Sequence, residues 1–418
     1  MEKNERIIVK KSQPLSGTIT VNGSKNASLP ILAATLLCDG ECVIKNIAPL
    51  SDVNLMCMLL ERLGAKTVRE NMQVRVSVPR IKCHTAPYEL VSKMRASFLV
   101  MGPLLARAGH TRISLPGGCP IGQRPVDLHL KGFAAMGAKI TRGNGYIEAR
   151  ADKLCAAKIY LDFPSVGATE NLIMAAALTD GQTIIENAAT EPEVVDLADF
   201  LNKAGAKVGG AGSGTVCVEG VKSLTGVCHD VIPDRIEAGT YMAAAAVTHG
   251  ALTIENVIAD HIKPVSAKLR EMGAVVEEKE KSIYIDASGK LKSVDIKTLP
   301  YPGFPTDMQA QMTALMSNAD GTGIVVETIF ENRFLYVPEL LRMGAHIKID
   351  GRSAIVEETR SMSGARVNAT DLRSGAALIL AGLAAKGDTE IGSIEHIDRG
   401  YYNIVEKLQN VGANIVRT

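Results

Sequence analysis

RLGAKTV at 62–68, AMGAKIT at 135–141, KAGAKVG at 203–209, EMGAVVE at 271–277, RMGAHIK at 342–348 and NVGANIV at 410–416 are six versions of one signal. Each sets a Gly-Ala pair between a helix-like segment and a strand-like run, and glycine after a helix supplies the positive φ that ends it without a Cβ penalty. The six glycines, Gly64, Gly137, Gly205, Gly273, Gly344 and Gly412, recur at intervals of 73, 68, 68, 71 and 68 residues. A second marker keeps the same beat. Ala-rich apolar segments end at Gly40, Gly109, Gly181, Gly250, Gly321 and Gly387 and run into strands such as CVIKNI, TIIENA, LTIENV and IVVETI. Two markers in phase define an internal repeat, the sequence signature of an architecture built from stacked units.

Each unit of about 70 residues therefore reads as an apolar helix, a turn glycine, a strand, a loop, an amphipathic helix closed by glycine, and further strands. The first helix of a unit, NLIMAAAL or GTYMAAAA, is apolar almost all round and should be buried; the second, such as VVDLADFLNKAG, has a polar face. Sheets should then wrap around buried helices. The expected fold is α/β, two domains in the form of an inside-out α/β barrel, each of three repeats with helices within and sheets outside. The boundary is expected near Val231 to Asp234, giving a first domain of 25–232 and a second of 233–418 joined by 1–24, with IIVKKS completing one of its sheets.

Composition narrows the function. Lys+Arg 46 against Asp+Glu 45 leaves a formal charge of +1, so no general footprint for nucleic acid or an anionic membrane exists and any anion site must be local. Aromatics make up 4% of the chain and Trp is absent, which argues against base-stacking platforms. The N-terminal MEKNERIIVKKS lacks an apolar core, and the longest apolar stretches, such as Ala96 to Ala106, are too short for a membrane span. Eight scattered cysteines without a secretory signal fit a reducing cytoplasm rather than a disulfide framework. Cys38 and Cys42 are four apart, but no His/Cys pair follows at zinc spacing, and nothing calls for a metal.

Counting back from each turn glycine reaches the start of each buried helix: Lys25-Asn26, Arg95, Ser165, Arg235, Asp307 and Arg373, all polar. Capping accounts for Ser165 and Asp307, and Thr306 with Gln309 fits a capping box. Lys25, Arg95, Arg235 and Arg373 fit it less well, because cations at a helix N-terminus oppose the macrodipole. An anion held there by basic side chains and backbone N–H groups explains them better. A second polar set, Asp52, Glu193, Lys263, Arg333 and Arg399, is expected in the loops before the amphipathic helices. Solvated loop positions are the plain reading of these five; lining a cleft between the domains for a phosphorylated, acidic substrate is the sharper one.

The second unit breaks the beat. From turn glycine to Gly-Ala glycine it spans 28 residues where the others span 23 to 25, an insertion that falls at LPGGCPIGQRP, 115–125. Insertions in one unit of a repeat fold mark loops on a functional face. This one carries Cys119 between glycines and proline, with Arg124 placed to lower the thiol pKa or grip a phosphate.

GSKNASLP at 23–30, MRAS at 94–97, LPGGCPIGQRPVDLH at 115–129, FPTDMQAQ at 304–311, FENRF at 330–334 and HIDRGY at 396–401 together resemble the UDP-N-acetylglucosamine enolpyruvyl transferases across the whole chain. The resemblance implies phosphoenolpyruvate and UDP-N-acetylglucosamine as substrates bound between the two domains, no cofactor, and no nucleic-acid or membrane partner. It implies Lys25, Asn26, Arg95, Arg124, Arg333, Arg373 and Arg399 around phosphoenolpyruvate. For the nucleotide sugar it implies Asn26, Arg95, Arg124, Pro125, Val126, Asp127, Leu128, Ser165, Val166, Gly167, Asp307 and Ile329. Cys119 would protonate C3 or form a phospholactoyl adduct, and would be alkylated by fosfomycin; Asp307 would be the base, with Lys25, Asn26 and Arg399 completing the catalytic set. One departure stands out: Asp162-Phe163-Pro164 precedes SVGAT where some relatives carry a lysine toward the diphosphate. Transfer to shikimate 3-phosphate is the alternative within enzymes, and a non-catalytic repeat scaffold the alternative from another class. RNA-processing enzymes with related repeats are a third, weakened by the balanced charge.

Overall fold

The computed structural model describes residues 5–115, 121–122 and 126–418. The described residues form two compact units, a first of 23–115 with 126–232 and a second of 5–22 with 233–418 and the short piece 121–122. Residues 23 and 24, expected with the second domain, group with the first. The reason is local: Ser24 caps the helix Lys25–Ala34 by accepting from the Ala27 N–H, and its own N–H donates to the Ile232 carbonyl at 2.7 Å.

Each unit holds three four-stranded sheets of one design. In the first repeat the strand Cys228–Asp230 runs parallel to Glu41–Lys45, which pairs antiparallel with Gln73–Ser77, which pairs antiparallel with Lys66–Glu70. Alternation sets the facing: Cys42, Ile44, Val74 and Val76 are buried, as the period of two in a half-buried strand requires. In the sixth repeat Ile7–Lys10 takes the third position, between Asp388–Gly392 and Ile415–Arg417. The strand before the first buried helix, Ser16–Thr20, pairs with Ala251–Glu255 in the second unit. Apart from the short piece 121–122, the chain changes unit near 22–23 and 232–233, and each set of three repeats closes on its own strands.

The buried helices are Lys25–Ala34, Met101–Ala108 and Val166–Ala176 in the first unit and Arg235–Val247, Gln309–Met316 and Leu372–Ala384 in the second. In Arg235–Val247 every residue from Ile236 to Val247 is buried. Its alanine run keeps the side chains short, so neighbouring backbones approach closely, while each fully buried Leu or Ile of the surrounding core contributes roughly 1.5–3 kcal/mol. The second helix of each repeat, such as Pro192–Lys203, buries Val194, Leu197 and Leu201 and leaves Asn202 and Lys203 outside.

The Gly-Ala glycines all take positive φ, from +88° at Gly344 to +118° at Gly64. The turn glycines do so at five places; in the fourth repeat His249 carries the left-handed conformation instead (φ 53°). Gly250 is required there for another reason, since a Cβ would lie 2.3 Å from the Leu15 carbonyl oxygen.

Candidate active site

In the second unit the start of the fifth repeat's helix is a 3-10 turn, Thr306–Met308, after Pro305. The capping box expected from Thr306 and Gln309 does not form. Thr306 donates instead to Glu327 Oε2 at 2.8 Å, and Gln309 is buried with neither amide atom hydrogen-bonded. Glu327 also accepts from the Thr298 hydroxyl (2.9 Å) and from the N–H groups of Ile329 (2.7 Å) and Phe330 (3.1 Å). This one buried carboxylate ties the turn bearing Asp307 to the loop bearing Ile329 and Arg333. The capping box that does exist among the described residues lies in the sixth repeat, where Asp371 and Ser374 cap Leu372–Ala384 reciprocally, with the buried Arg373 between them.

Asp307 is the meeting point. Its Oδ1 accepts from Arg333 Nη2 at 2.9 Å and its Oδ2 from Arg373 Nη2 at 3.0 Å, and both guanidinium groups are only 4% exposed. Burial works against the Arg373 charge, but the carboxylates of Asp307 and Asp234 and the Tyr401 hydroxyl outweigh it, holding the group above the ordinary arginine value. Two buried guanidinium groups meeting at one carboxylate set fixed donors for a small anion beside a group able to accept a proton. Arg399 lies in the turn before Tyr401 and is half-buried. Arg235 begins its helix, with the guanidinium 5.4 Å from the Tyr301 ring centre.

The first unit repeats the theme. Lys25, at the first position of its helix, pairs with Asp52 at 3.3 Å, Asp52 being almost fully buried. Asn26 follows, and Arg95 opens the 3-10 segment Arg95–Val100. Ser165 caps Val166–Ala176 by accepting from the Ala168 N–H at 3.4 Å, so for this residue the plain capping reading holds. Val166 and Gly167 are the first helical residues, and a Cβ on Gly167 would lie 3.3 Å from the His129 ring. Asp127 and Leu128 begin the helix Asp127–Ala135 after Val126; Asp127 is exposed and pairs with Arg142 at 2.5 Å. Cys119, Arg124 and Pro125 fall outside the described residues.

Of the second polar set, Arg333 and Arg399 lie in the turns expected, and the other three do not. Asp52, Glu193 and Lys263 sit in the first turns of Ser51–Leu63, Pro192–Lys203 and Lys263–Met272. Lys263 is exposed and paired with Asp260 at 2.7 Å. Protein carboxylates thus partner the helix-start cations Lys25 and Arg373, which supplies part of the compensation assigned to an external anion.

Sequence reasoning quoted His129 inside a motif but gave it no role. The Asn171 Oδ1 accepts from the Gly102 N–H at 2.7 Å, so its Nδ2 is the donor to the Phe98 carbonyl (2.9 Å) and to His129 Nδ1 (3.1 Å). The neutral ring must then carry its proton on Nε2, toward Gly167. At the departure before SVGAT, Phe163 is exposed while Lys131 reaches Asp162 at 2.7 Å, bringing an ammonium to this loop from another helix. Tyr401 closes the motif HIDRGY without a role of its own following from it, and Glu327, three residues before FENRF, carried no signal.

The fold and this constellation define an enolpyruvyl transferase. Residues 9–408 match the family described as EPSP synthase (3-phosphoshikimate 1-carboxyvinyltransferase), and the chain belongs to that family. Among solved structures, the enolpyruvyl transferase NikO from Streptomyces tendae shares the fold with a TM-score of 0.90 at 24% identity, covering 99% of both chains. EPSP synthase from Acinetobacter baumannii gives 0.78 at 18% identity, again over 99% of each.

Sequence relatives are more particular. UDP-N-acetylglucosamine 1-carboxyvinyltransferase 1 of Caldanaerobacter subterraneus subsp. tengcongensis is 58% identical over 412 residues, 99% of both chains. UDP-N-acetylglucosamine 1-carboxyvinyltransferase 2 of Carboxydothermus hydrogenoformans is 57% identical over 415 residues, 99% of both.

Proposed function

We propose that this chain transfers the enolpyruvyl group of phosphoenolpyruvate to the 3-hydroxyl of UDP-N-acetylglucosamine with release of phosphate, the committing step of peptidoglycan synthesis for the cell wall. The observation that carries the reading is Asp307 held between Arg333 and Arg373 at a buried helix start: a proton acceptor fixed beside an anion clamp. Substrate anions that engage the two arginines release the carboxylate from its ion pairs, so binding of phosphoenolpyruvate prepares the base.

The reaction then runs by addition and elimination. Asp307 takes the proton of the sugar hydroxyl as its oxygen attacks C2, and C3 gains a proton from Cys119 to become a methyl group. A proton is next removed from that methyl group, the C2–O bond to phosphate breaks, and the enol ether forms. Arg333, Arg373, Arg399, Lys25, Arg95 and Arg124 neutralise phosphate and carboxylate and orient C2, the positioning that converts a bimolecular step into a local one. Asn26 holds the intermediate; Val126 to Leu128, Ser165 to Gly167 and Ile329 contact the nucleotide sugar, with Pro125. No cofactor is required; in the alternative role of Cys119 its sulfur bonds to C2 of phosphoenolpyruvate while C3 takes the thiol proton, giving a phospholactoyl adduct, and the same thiol opens the fosfomycin epoxide. No nucleic acid or membrane partner enters, and the cytoplasm is the setting; no helix of the described residues is long and apolar enough to cross a membrane.

The test is phosphate release from phosphoenolpyruvate with UDP-N-acetylglucosamine and shikimate 3-phosphate as separate acceptors, before and after fosfomycin. Release with the nucleotide sugar alone, abolished by the drug, is expected. Release with the shikimate alone overturns the acceptor, and release with neither overturns the reaction.

A further inference from the structure

We propose that Tyr401 is a positioning residue for phosphoenolpyruvate binding, holding Arg373 at its working angle through a hydrogen-bond chain of fixed direction; the inference rests on the function given above. Tyr401 is 2% exposed. Its hydroxyl lies 3.2 Å from Arg373 Nη1 and 2.9 Å from the Thr240 hydroxyl, and Thr240 Oγ1 lies 2.8 Å from the Ile236 carbonyl oxygen.

The two ends of this chain fix every proton in it. A guanidinium only donates and a carbonyl oxygen only accepts, whereas each hydroxyl has one proton to give. Arg373 therefore donates to Tyr401, Tyr401 to Thr240, and Thr240 to Ile236. Gln311 Nε2 adds a donor to both oxygens, at 3.2 Å from Thr240 and 3.3 Å from Tyr401. All three buried helices of the second unit take part: Arg235–Val247 through Thr240 and Ile236, Gln309–Met316 through Gln311, and Leu372–Ala384 through Arg373.

Arg373 is thus gripped on two sides. Nη2 meets Asp307 and Nη1 meets Tyr401, whose ring centre lies 5.6 Å from the guanidinium carbon. A planar group bonded at both terminal nitrogens has lost its freedom to rotate about the side chain, and an arginine so fixed loses less entropy when an anion arrives. When substrate draws Arg373 away from Asp307, the Tyr401 contact remains to hold it. The turn carrying Tyr401 is itself seated closely: a Cβ on Gly400 would lie 2.7 Å from Leu372 Cδ2, and the Tyr401 N–H donates to the Ile397 carbonyl at 3.0 Å. Arg399, two residues before Tyr401, rides on the same turn, so the hydroxyl anchors the positions of two cations at once.

The experiment uses the full-length enzyme and steady-state phosphate release, with each substrate varied in turn. Tyr401→Phe keeps the ring and removes the acceptor. Loss of a hydrogen bond to a charged group should raise KM for phosphoenolpyruvate about tenfold, with KM for UDP-N-acetylglucosamine within twofold and the melting temperature lowered, since Arg373 Nη1 loses a buried acceptor. Thr240→Val, which breaks the chain one link further on, should move the same KM less, Thr240→Ser should leave it unchanged, and Tyr401→Phe with Thr240→Val should be no worse than Tyr401→Phe alone. A Tyr401→Phe enzyme whose KM for phosphoenolpyruvate stays within twofold of the parent, or whose two KM values rise together, overturns the proposal. An inactive parent would instead refute the function on which it rests.

Discussion

Replacing Asp307 with Asn tests the centre of the reading. The side chain keeps its shape and one acceptor oxygen, loses its charge, and sets an NH2 group against whichever guanidinium faced the other oxygen. Both arginines are 4% exposed and neither has solvent to turn to, while Asp307 itself is 26% exposed. Breaking a buried ion pair from one side costs about 3–5 kcal/mol, and the partial exposure of the carboxylate favours the lower figure. At roughly 2–4 °C per kcal/mol for a body of some 200 residues, the second unit should melt about 6–12 °C lower by differential scanning calorimetry. The effect on turnover is separate. Loss of a general base should reduce kcat about 10²–10⁴-fold, and KM for phosphoenolpyruvate should not rise, because both arginines remain and have lost their competitor. A variant with kcat within threefold of the parent refutes Asp307 as the base. A melting temperature within 2 °C of the parent refutes the claim that this carboxylate compensates the two buried guanidinium groups.

Cys119→Ala should abolish turnover beyond a trace and remove the fosfomycin adduct seen by intact-protein mass spectrometry in the parent; retained turnover would exclude the thiol as the acid. Gly205→Ala meets nothing within 4 Å and suffers only from its φ of +104°, so it should cost about 1 kcal/mol, whereas Gly64→Ala adds a Cβ 2.5 Å from the Arg80 carbonyl oxygen and should cost clearly more in denaturant titrations. Equal costs would show that backbone strain alone decides. Burial, with Glu193 and Glu191 adding to it, raises the Glu170 carboxyl well above its ordinary 4.5, and its Oε1 has no hydrogen-bond partner. A raised folded-state value means a contribution to stability that is present below pH 4.5 and lost as pH rises. Glu170→Gln should therefore melt with the parent at pH 4 and above it at pH 8, and a pH-independent difference would refute the burial argument.

The six-fold beat was legible because it rests on local chemistry. A helix that must stop and turn into a strand needs a residue tolerant of positive φ, and Gly64, Gly137, Gly205, Gly273, Gly344 and Gly412 all adopt it. Gly250 shows the limit of that logic: the same letter at the same beat answers a close approach to Leu15, a contact between segments far apart in sequence. Thr306 shows another limit, since its spacing to Gln309 satisfies a capping box and yet its hydroxyl is taken by Glu327, 21 residues on.

From sequence alone came the repeat, the helices buried within sheets, the polar residues at the helix starts, and a motif set specific enough to place the chain among the enolpyruvyl transferases. Periodicity and turn chemistry act over a few residues, so a linear reading reaches them. Tertiary structure decided the partners: that Asp307 lies between Arg333 and Arg373, that Lys25 meets Asp52, and that Tyr401 and Glu327 hold the working residues in place. In the first and fifth repeats residues 27 and 26 positions apart, Lys25 with Asp52 and Asp307 with Arg333, become neighbours because the buried helix and the segment opening the amphipathic helix begin at the same end, and an ion pair depends on a distance of a few ångströms that no spacing along the chain prescribes.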